Sequence, residues 1–289
     1  MPLTTPLILV IKTSLITLMV ALGLELRLED LAVHRHRPWV ILRVVLGSCL
    51  LVPLVALVVL LLPISQQMSA GARFGIALMA LSPSAPLTLR KAGLRGGDAH
   101  EAAVLQVVAA LLAVVSIPLL GDLFRATHHL RGWDILPRQV ALQVGVLQVV
   151  PLASGLLLGY WRPDLRERWA RPVQRAAFLV TLLMVALILA MVMPTLLTFI
   201  RGNLLAITAM VVMTGAALGI GYALGGDSRS ERLTAALVTS MRNPGLALLF
   251  AVTHGKNVPG VKLAIVTYLL VTILATVPFL RWARQARTP

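Results

Sequence analysis

Arg242 lies inside the apolar run 233–252, LTAALVTSMRNPGLALLFAV. Ten residues separate it from Arg232, roughly 15 Å along a helix. A cation at that depth in a bilayer costs about 2.5–3.5 kcal/mol on insertion scales, so an intramembrane arginine is read as functional by default. Asn243, Pro244 and Gly245 follow it and break the helix, because proline removes a backbone donor and clashes with the preceding turn. A fixed cation beside a break has three uses. It can grip a carboxylate or sulfonate, ideally through paired hydrogen bonds. It can stand in for a bound metal cation. It can cap the carbonyls that the broken helix frees.

Other polar residues gather at two places. Thr239, Ser240 and Asn243 flank the break at Pro244–Gly245. Ser82, Ser84 and Thr88 flank a second one, Ser82-Pro83-Ser84-Ala85-Pro86. Each hydroxyl alone is more readily read as a residue bonded back to its own helix; as a set facing one crossing they favour a polar site, which Gln106 can join. Gln139 and Gln143 share a face and, with Gln148, either line a cavity or bond between helices. Lys12 can snorkel to an interface. No carboxylate stands out as a buried proton carrier. His100-Glu101 lacks the second histidine of a zinc-protease helix, no GxxxxGK[ST] phosphate loop occurs, and a single cysteine, Cys49, excludes an intrachain disulfide or a multi-cysteine metal centre. No enzyme, cofactor or nucleotide drive is expected.

The elements that position these residues must be membrane helices. Of 289 residues, 58% are hydrophobic and 13% charged, and mean hydropathy is +0.89; soluble domains carry about 25% charge. Apolar runs of about 20 residues indicate helices rather than barrel strands. Nine spans are read, near 7–26, 38–62, 73–92, 99–120, 138–160, 173–199, 203–224, 232–253 and 261–281. All five tryptophans fall at span ends or in loops, where interfacial belts lie. The net charge of +15 comes from arginines in short loops, fifteen lysines and arginines on one face against seven on the other. Topology therefore explains the charge, and nucleic acid is not a partner. This asymmetry places the N-terminus outside and the C-terminus in the cytoplasm, in a cell (inner) membrane. No cleaved signal peptide is expected.

The two halves repeat. Leu15–Leu22 reads like Leu179–Leu187, Ser82-Pro83 like Asn243-Pro244, and Val115-Ser-Ile-Pro118 like Ala275-Thr-Val-Pro278, at offsets of about 160. Spans one to four then match spans six to nine, with span five between, so the second copy enters from the opposite side. An inverted repeat with paired broken helices points to a midplane binding site and to alternating access. Gly215, Gly219, Gly221 and Gly225, at four-residue spacing in span seven, suggest close helix packing.

These residues resemble the bile acid:sodium symporter family. Met241-Arg-Asn-Pro-Gly-Leu-Ala247 is similar to that family's "QN-x-GLA" stretch, and Ala80-Leu-Ser-Pro-Ser84 with Arg95-Gly-Gly-Asp98 to its "CPGG … RGN" region. Leu18–Gly23 and Leu51-Val-Pro-Leu54 resemble its "F-x-x-GL" run and "MP" helix. The resemblance implies one transmembrane domain over 1–289, with a panel near 7–26, 138–160 and 173–199 and a core near 38–120 and 203–281 in which two broken helices cross. It also implies uptake of sodium with an organic anion. The sequence departs at the sodium positions. Val238 and Arg242 stand where relatives hold glutamate and glutamine, Leu89 where they hold asparagine, and Ser48 where they hold a glutamine; Asn243 is kept, and Thr88 replaces a serine. A guanidinium repels a neighbouring sodium ion, so the usual sodium sites are not expected.

The reading is an all-α secondary transporter of a small or amphipathic organic anion, bile-acid-like or carboxylate. Two alternatives stay open: an arsenite-permease-like exporter, and a non-transporting receptor or regulator on the same fold. Substrate, direction and oligomeric state are not fixed by sequence.

Overall fold

The computed structural model describes residues 4–27, 29, 38–84, 97–128, 137–253 and 258–285. Among these residues every regular element is helical, as a chain in lipid requires, since each backbone amide and carbonyl must pair within the protein. Eight of the helical segments are long and apolar enough to cross a bilayer. The protein is an all-α polytopic membrane protein. In chain order the helices are α1 (Thr4–Glu25), α2 (Pro38–Leu61), α3 (Ala70–Leu81), α4 (Ala99–His128), α5 (Arg138–Trp161), α6 (Pro163–Gly202), α7 (Leu204–Leu224), α8 (Arg229–Ser240), α9 (Pro244–Thr253) and α10 (Val261–Gln285).

The ninth expected span appears as α3 alone. Twelve residues, about 18 Å, cannot cross a hydrocarbon core of about 30 Å. The rest of that span, with Pro86 and Thr88, lies outside the described residues. Span eight is α8 and α9 in series, and its apolar window is fully buried, whereas only 28% of the α6 window is. The broken span is thus enclosed by the others, which face lipid. That enclosure is what permits an arginine in it.

Two expected boundaries shift. Helix α4 continues through Pro118 to His128. Helix α6 begins at Pro163, ten residues before the expected span, and is 40 residues long, about 60 Å and twice the hydrocarbon thickness. Its outward stripe carries Arg168, Arg171 and Arg175 at first, then Leu179, Leu182, Leu183 and Leu187. Its early turns are therefore a helical arm outside the bilayer, where the low hydropathy of 163–172 suggested a loop.

Helices α2 and α5 each widen into a π turn, at Gly47–Leu51 and Gly145–Val149. In both, proline is the second residue of the helix that follows, Pro53 and Pro151. Its missing amide leaves carbonyls of the preceding turn without their helical donor.

The repeat is visible as two matching half-helices. Both α3 and α8 have 12 residues and start at a serine whose hydroxyl accepts an amide of the first turn, Ser69 from Ala72 and Ser228 from Glu231. Both end at an extended residue, Ser82 (φ −93, ψ 91) and Met241 (φ −82, ψ 93). Helix α3 packs on α10 while α8 packs on α4, the reciprocal exchange that related halves produce. The equivalence pairs Ser82 with Met241, which shifts the sequence pairing of Ser82-Pro83 with Asn243-Pro244 by two residues. The two prolines have different jobs. Pro83 follows a helix that has ended and holds Ser82 extended. Pro244 is the first residue of α9, where its fixed φ and missing amide suit a helix start.

Helix α1 packs against α5 and α6. At its crossing with α5 the backbones touch. A β-carbon on Gly23 would collide with the Leu152 carbonyl oxygen, and one on Gly155 with that of Val20. Of the glycines expected to pack in α7, Gly221 and Gly225 do so, against α8, but Gly215 and Gly219 face open space; a four-residue spacing does not say which side of a helix has a neighbour. We expect Gly155→Val to destabilise the protein by about 2 kcal/mol or more and Gly215→Ala to be tolerated, measured by thermal unfolding in detergent.

Candidate functional site

The site is built from carbonyl groups that have lost their amides. In α2, Val52 donates to Gly47 O and Pro53 has no amide, so Ser48 O lacks its donors at both helical spacings. In α3, Met79 O would pair with residue 83, which is proline, and keeps only a share of the Ser82 amide, at 3.2 Å. Ala80 O would pair with Ser84, which has left the helix. In α8, Thr239 O would pair with Asn243, but that amide donates across the crossing to Ser82 O at 3.1 Å. Four carbonyls from three elements are thus left at the centre of the bundle.

Arg242 takes all four. Its Nε donates to Met79 O at 3.1 Å. Its Nη1 reaches Ser48 O and Ser48 Oγ, both at 3.0 Å, and Thr239 O at 3.3 Å. Its Nη2 donates to Ala80 O. Arg242 is 2% exposed, and no carboxylate is among its partners. A planar fork with five N–H donors can serve five oxygens, where a lysine ammonium has three donors on one atom.

Asn243 organises the other side of the break. Its Oδ1 accepts the Leu246 amide at 3.1 Å and so caps α9, while its Nδ2 is buried without a partner. Ser84 Oγ and Thr239 Oγ1 are also buried and unpartnered. Ser82 and Ser240, by contrast, bond back to Leu78 O at 2.8 Å and Leu237 O at 3.4 Å. Pro83 is buried at the same crossing. Gln106 is buried on α4.

A cavity of about 50 Å³ opens on one side of this crossing, between α1, α6 and α10. Arg242, Asn243, Pro244 and Gly245 line it; Ser82, Ser84, Thr239, Ser240 and Gln106 do not. Ser14 and Thr181, bonded to each other at 2.9 Å across α1 and α6, and Thr272 complete its polar lining. Nothing in the sequence singled out Thr181 or Thr272, because a hydroxyl in an apolar helix looks the same on any face. Ligand pockets run to about 300–1,000 Å³, so this space admits a few waters and not a bulky anion. A second, open cavity of about 810 Å³ lies at the ends of α1, α4 and α6, with Arg27, His100, Arg166 and Arg171 among its walls. Of the α5 glutamines, Gln148 is buried and Gln139 exposed; Lys12 is exposed.

This architecture belongs with a known group. The profile of the Sodium Bile acid symporter family matches residues 13–199. The chain belongs to that family, whose members are transporters. A search of curated proteins finds no match. The matched region holds α1 to α6 with the first break, whereas Arg242 and the second break lie beyond it.

In sodium-free buffer we expect Arg242→Ala to lower stability by about 3 kcal/mol or more, because several buried carbonyls then go unpaired at about 1–3 kcal/mol each. Arg242→Lys should recover less than half of that loss. Thermal unfolding of the purified variants checks both.

Proposed function

We infer that this protein is a secondary transporter of a small or amphipathic organic anion, and that Arg242 does permanently what bound sodium does in relatives. The observation that carries the reading is the shell of five oxygens, from Ser48, Met79, Ala80 and Thr239, around one guanidinium. Such a shell suits a sodium ion, but here a tethered cation fills it, and a second cation beside it is repelled. The residues therefore do not fit sodium at this place. Arg242 and Ser48, which bond each other, stand at two positions where the family resemblance puts sodium ligands.

The same shell argues against Arg242 as the grip on substrate, since its donors are turned to carbonyls. The cavity beside it offers Asn243 Nδ2 as a donor without a partner, along with the Ser14–Thr181 and Thr272 hydroxyls. Family membership favours an anion; the 810 Å³ cavity is walled by Arg27, Arg166 and Arg171 but also by Glu25 and Glu167. Transport would proceed by alternating access. Helices α1, α5 and α6 form the panel, supported by the backbone contact of α1 with α5, and the remaining helices form the core. The cavity lies where the two bundles meet, so rocking of one on the other enlarges it on each side in turn. The membrane is the cell membrane, with the N-terminus outside and the C-terminus in the cytoplasm.

We expect taurocholate uptake into proteoliposomes to be equal with and without sodium for the wild type. For Arg242→Ala we expect uptake to be lost without sodium, and sodium to raise its thermal stability but not that of the wild type. Full sodium-independent uptake by Arg242→Ala, or a sodium requirement in the wild type, overturns the assignment.

A further inference from the structure

Glu101 bears on the expectation that no carboxylate stands out as a buried proton carrier. It sits in the first turn of α4, 5% exposed. Its Oε2 is enclosed and has no hydrogen-bond partner, and no ion pair joins Glu101 to a cation among the described residues. The charges that act on it are of its own sign, Glu231 and Asp98. Asp98 precedes α4 and its Oδ1 accepts the His100 and Glu101 amides, at 2.8 and 3.1 Å. The Asp98 amide donates to Thr234 Oγ1 of α8 at 2.8 Å, which ties the two helix ends together. Glu231, in the first turn of α8, forms a capping box with Ser228.

Two of the described cations at this end of the bundle are engaged elsewhere, and the Nη2 of a third, Arg229, is buried without a partner. Arg43 of α2 donates to Gly225 O at 2.7 Å. Arg232 of α8 donates to Gly226 O at 3.2 Å and lies over the Tyr222 ring. Among the described residues, Asp227 and Arg229 at the start of α8, His100 on α4, and Glu25 and Arg27 at the end of α1 are further ionisable groups at this end, and Glu25 accepts from Gln174 at 2.7 Å.

An ionised carboxylate in this place loses most of its water, meets two like charges and, among the described residues, gains no cation. The start of α4 attracts negative charge only weakly in return, and Asp98 already occupies the His100 and Glu101 amides. The balance favours the neutral acid.

We propose that Glu101 is a proton-binding site and that the coupling ion of this protein is a proton. The proposal rests on the transport reading above and completes it, because a fixed guanidinium cannot draw on an ion gradient. A proton from water bonds to the Glu101 carboxylate, and α4 and α8 close over the neutral group as seen here. When the two helix ends part, water reaches the acid, the O–H bond breaks and the proton leaves to solvent. Helix α8 runs from Glu231 to the break that carries Arg242, so the protonation of Glu101 acts on the element that shapes the cavity.

Infrared spectroscopy of the purified full-length protein tests the site without any substrate. At neutral pH the wild type should show the C=O stretch of a protonated carboxylic acid, and Glu101→Gln should lose it. Glu231→Gln should keep the band, since glutamine preserves the capping box. Glu101→Met serves if the amide variant fails to fold. In proteoliposomes holding a pH-sensitive dye, taurocholate uptake should carry protons in the wild type. In Glu101→Gln it should carry none and lose its pH dependence. A band unchanged by both Glu101 variants, or proton-linked uptake retained in Glu101→Gln, overturns the proposal. If taurocholate moves through no variant and not through the wild type, the transport reading for that anion fails, and the infrared comparison decides the proton site by itself.

Discussion

A carbonyl without a donor in the middle of a membrane protein costs several kcal/mol, and the centre of this fold holds four of them. Each is created by a local event: Pro53 behind a π turn, Pro83 behind α3, Ser84 out of the helix, and Asn243 donating across the crossing instead of back along α8. The Arg242 guanidinium satisfies all four. Its desolvation is offset by carbonyl dipoles aimed at it from three elements, so a full charge persists without a counter-ion.

This constraint organises what surrounds it. Span eight must be enclosed, since lipid cannot solvate the guanidinium, and it is the span whose apolar window is wholly buried. The partners of Arg242 come from α2, α3 and α8, so these helices are held as one body. Helix α1 meets the crossing through apolar packing of Leu15 on Gly245 and, with α6, across a small cavity with few polar groups. A stiff, hydrogen-bonded body beside an interface made mostly of apolar contacts is the mechanical arrangement that a rocking motion needs. Glu101, on α4, sits by the start of α8, the end far from the break. Protonation there and the charge at the crossing therefore act at opposite ends of α8.

Much of this was legible in the sequence. Composition and run length gave the membrane class and most spans, because hydrophobicity is a property of the residues themselves. The depth of Arg242 and Pro244 beside it pointed to the break, where the structure buries the guanidinium among carbonyls of three helices. The repeat was legible too, though its register slipped by two residues, since proline can end a helix or begin one and the letter does not say which. Boundaries failed where polarity misled: the arginines at the start of α6 read as a loop and are helix outside the bilayer. Pro86 and Thr88, assigned to the first break, lie outside the described residues.

The sequence by itself determined that the chain crosses the membrane as helices, that two spans break, and that one break carries a cation. Those facts follow from residue chemistry and spacing along one chain. The tertiary structure alone decided what the cation touches, which hydroxyls face the cavity and that Glu101 is buried beside Glu231. Residues 79 and 242, 48 and 242, and 101 and 231 are remote in sequence, and only packing sets their distances. Burial and hydrogen bonding, which turn an arginine into a tethered ion and a glutamate into a neutral acid, are properties of those contacts.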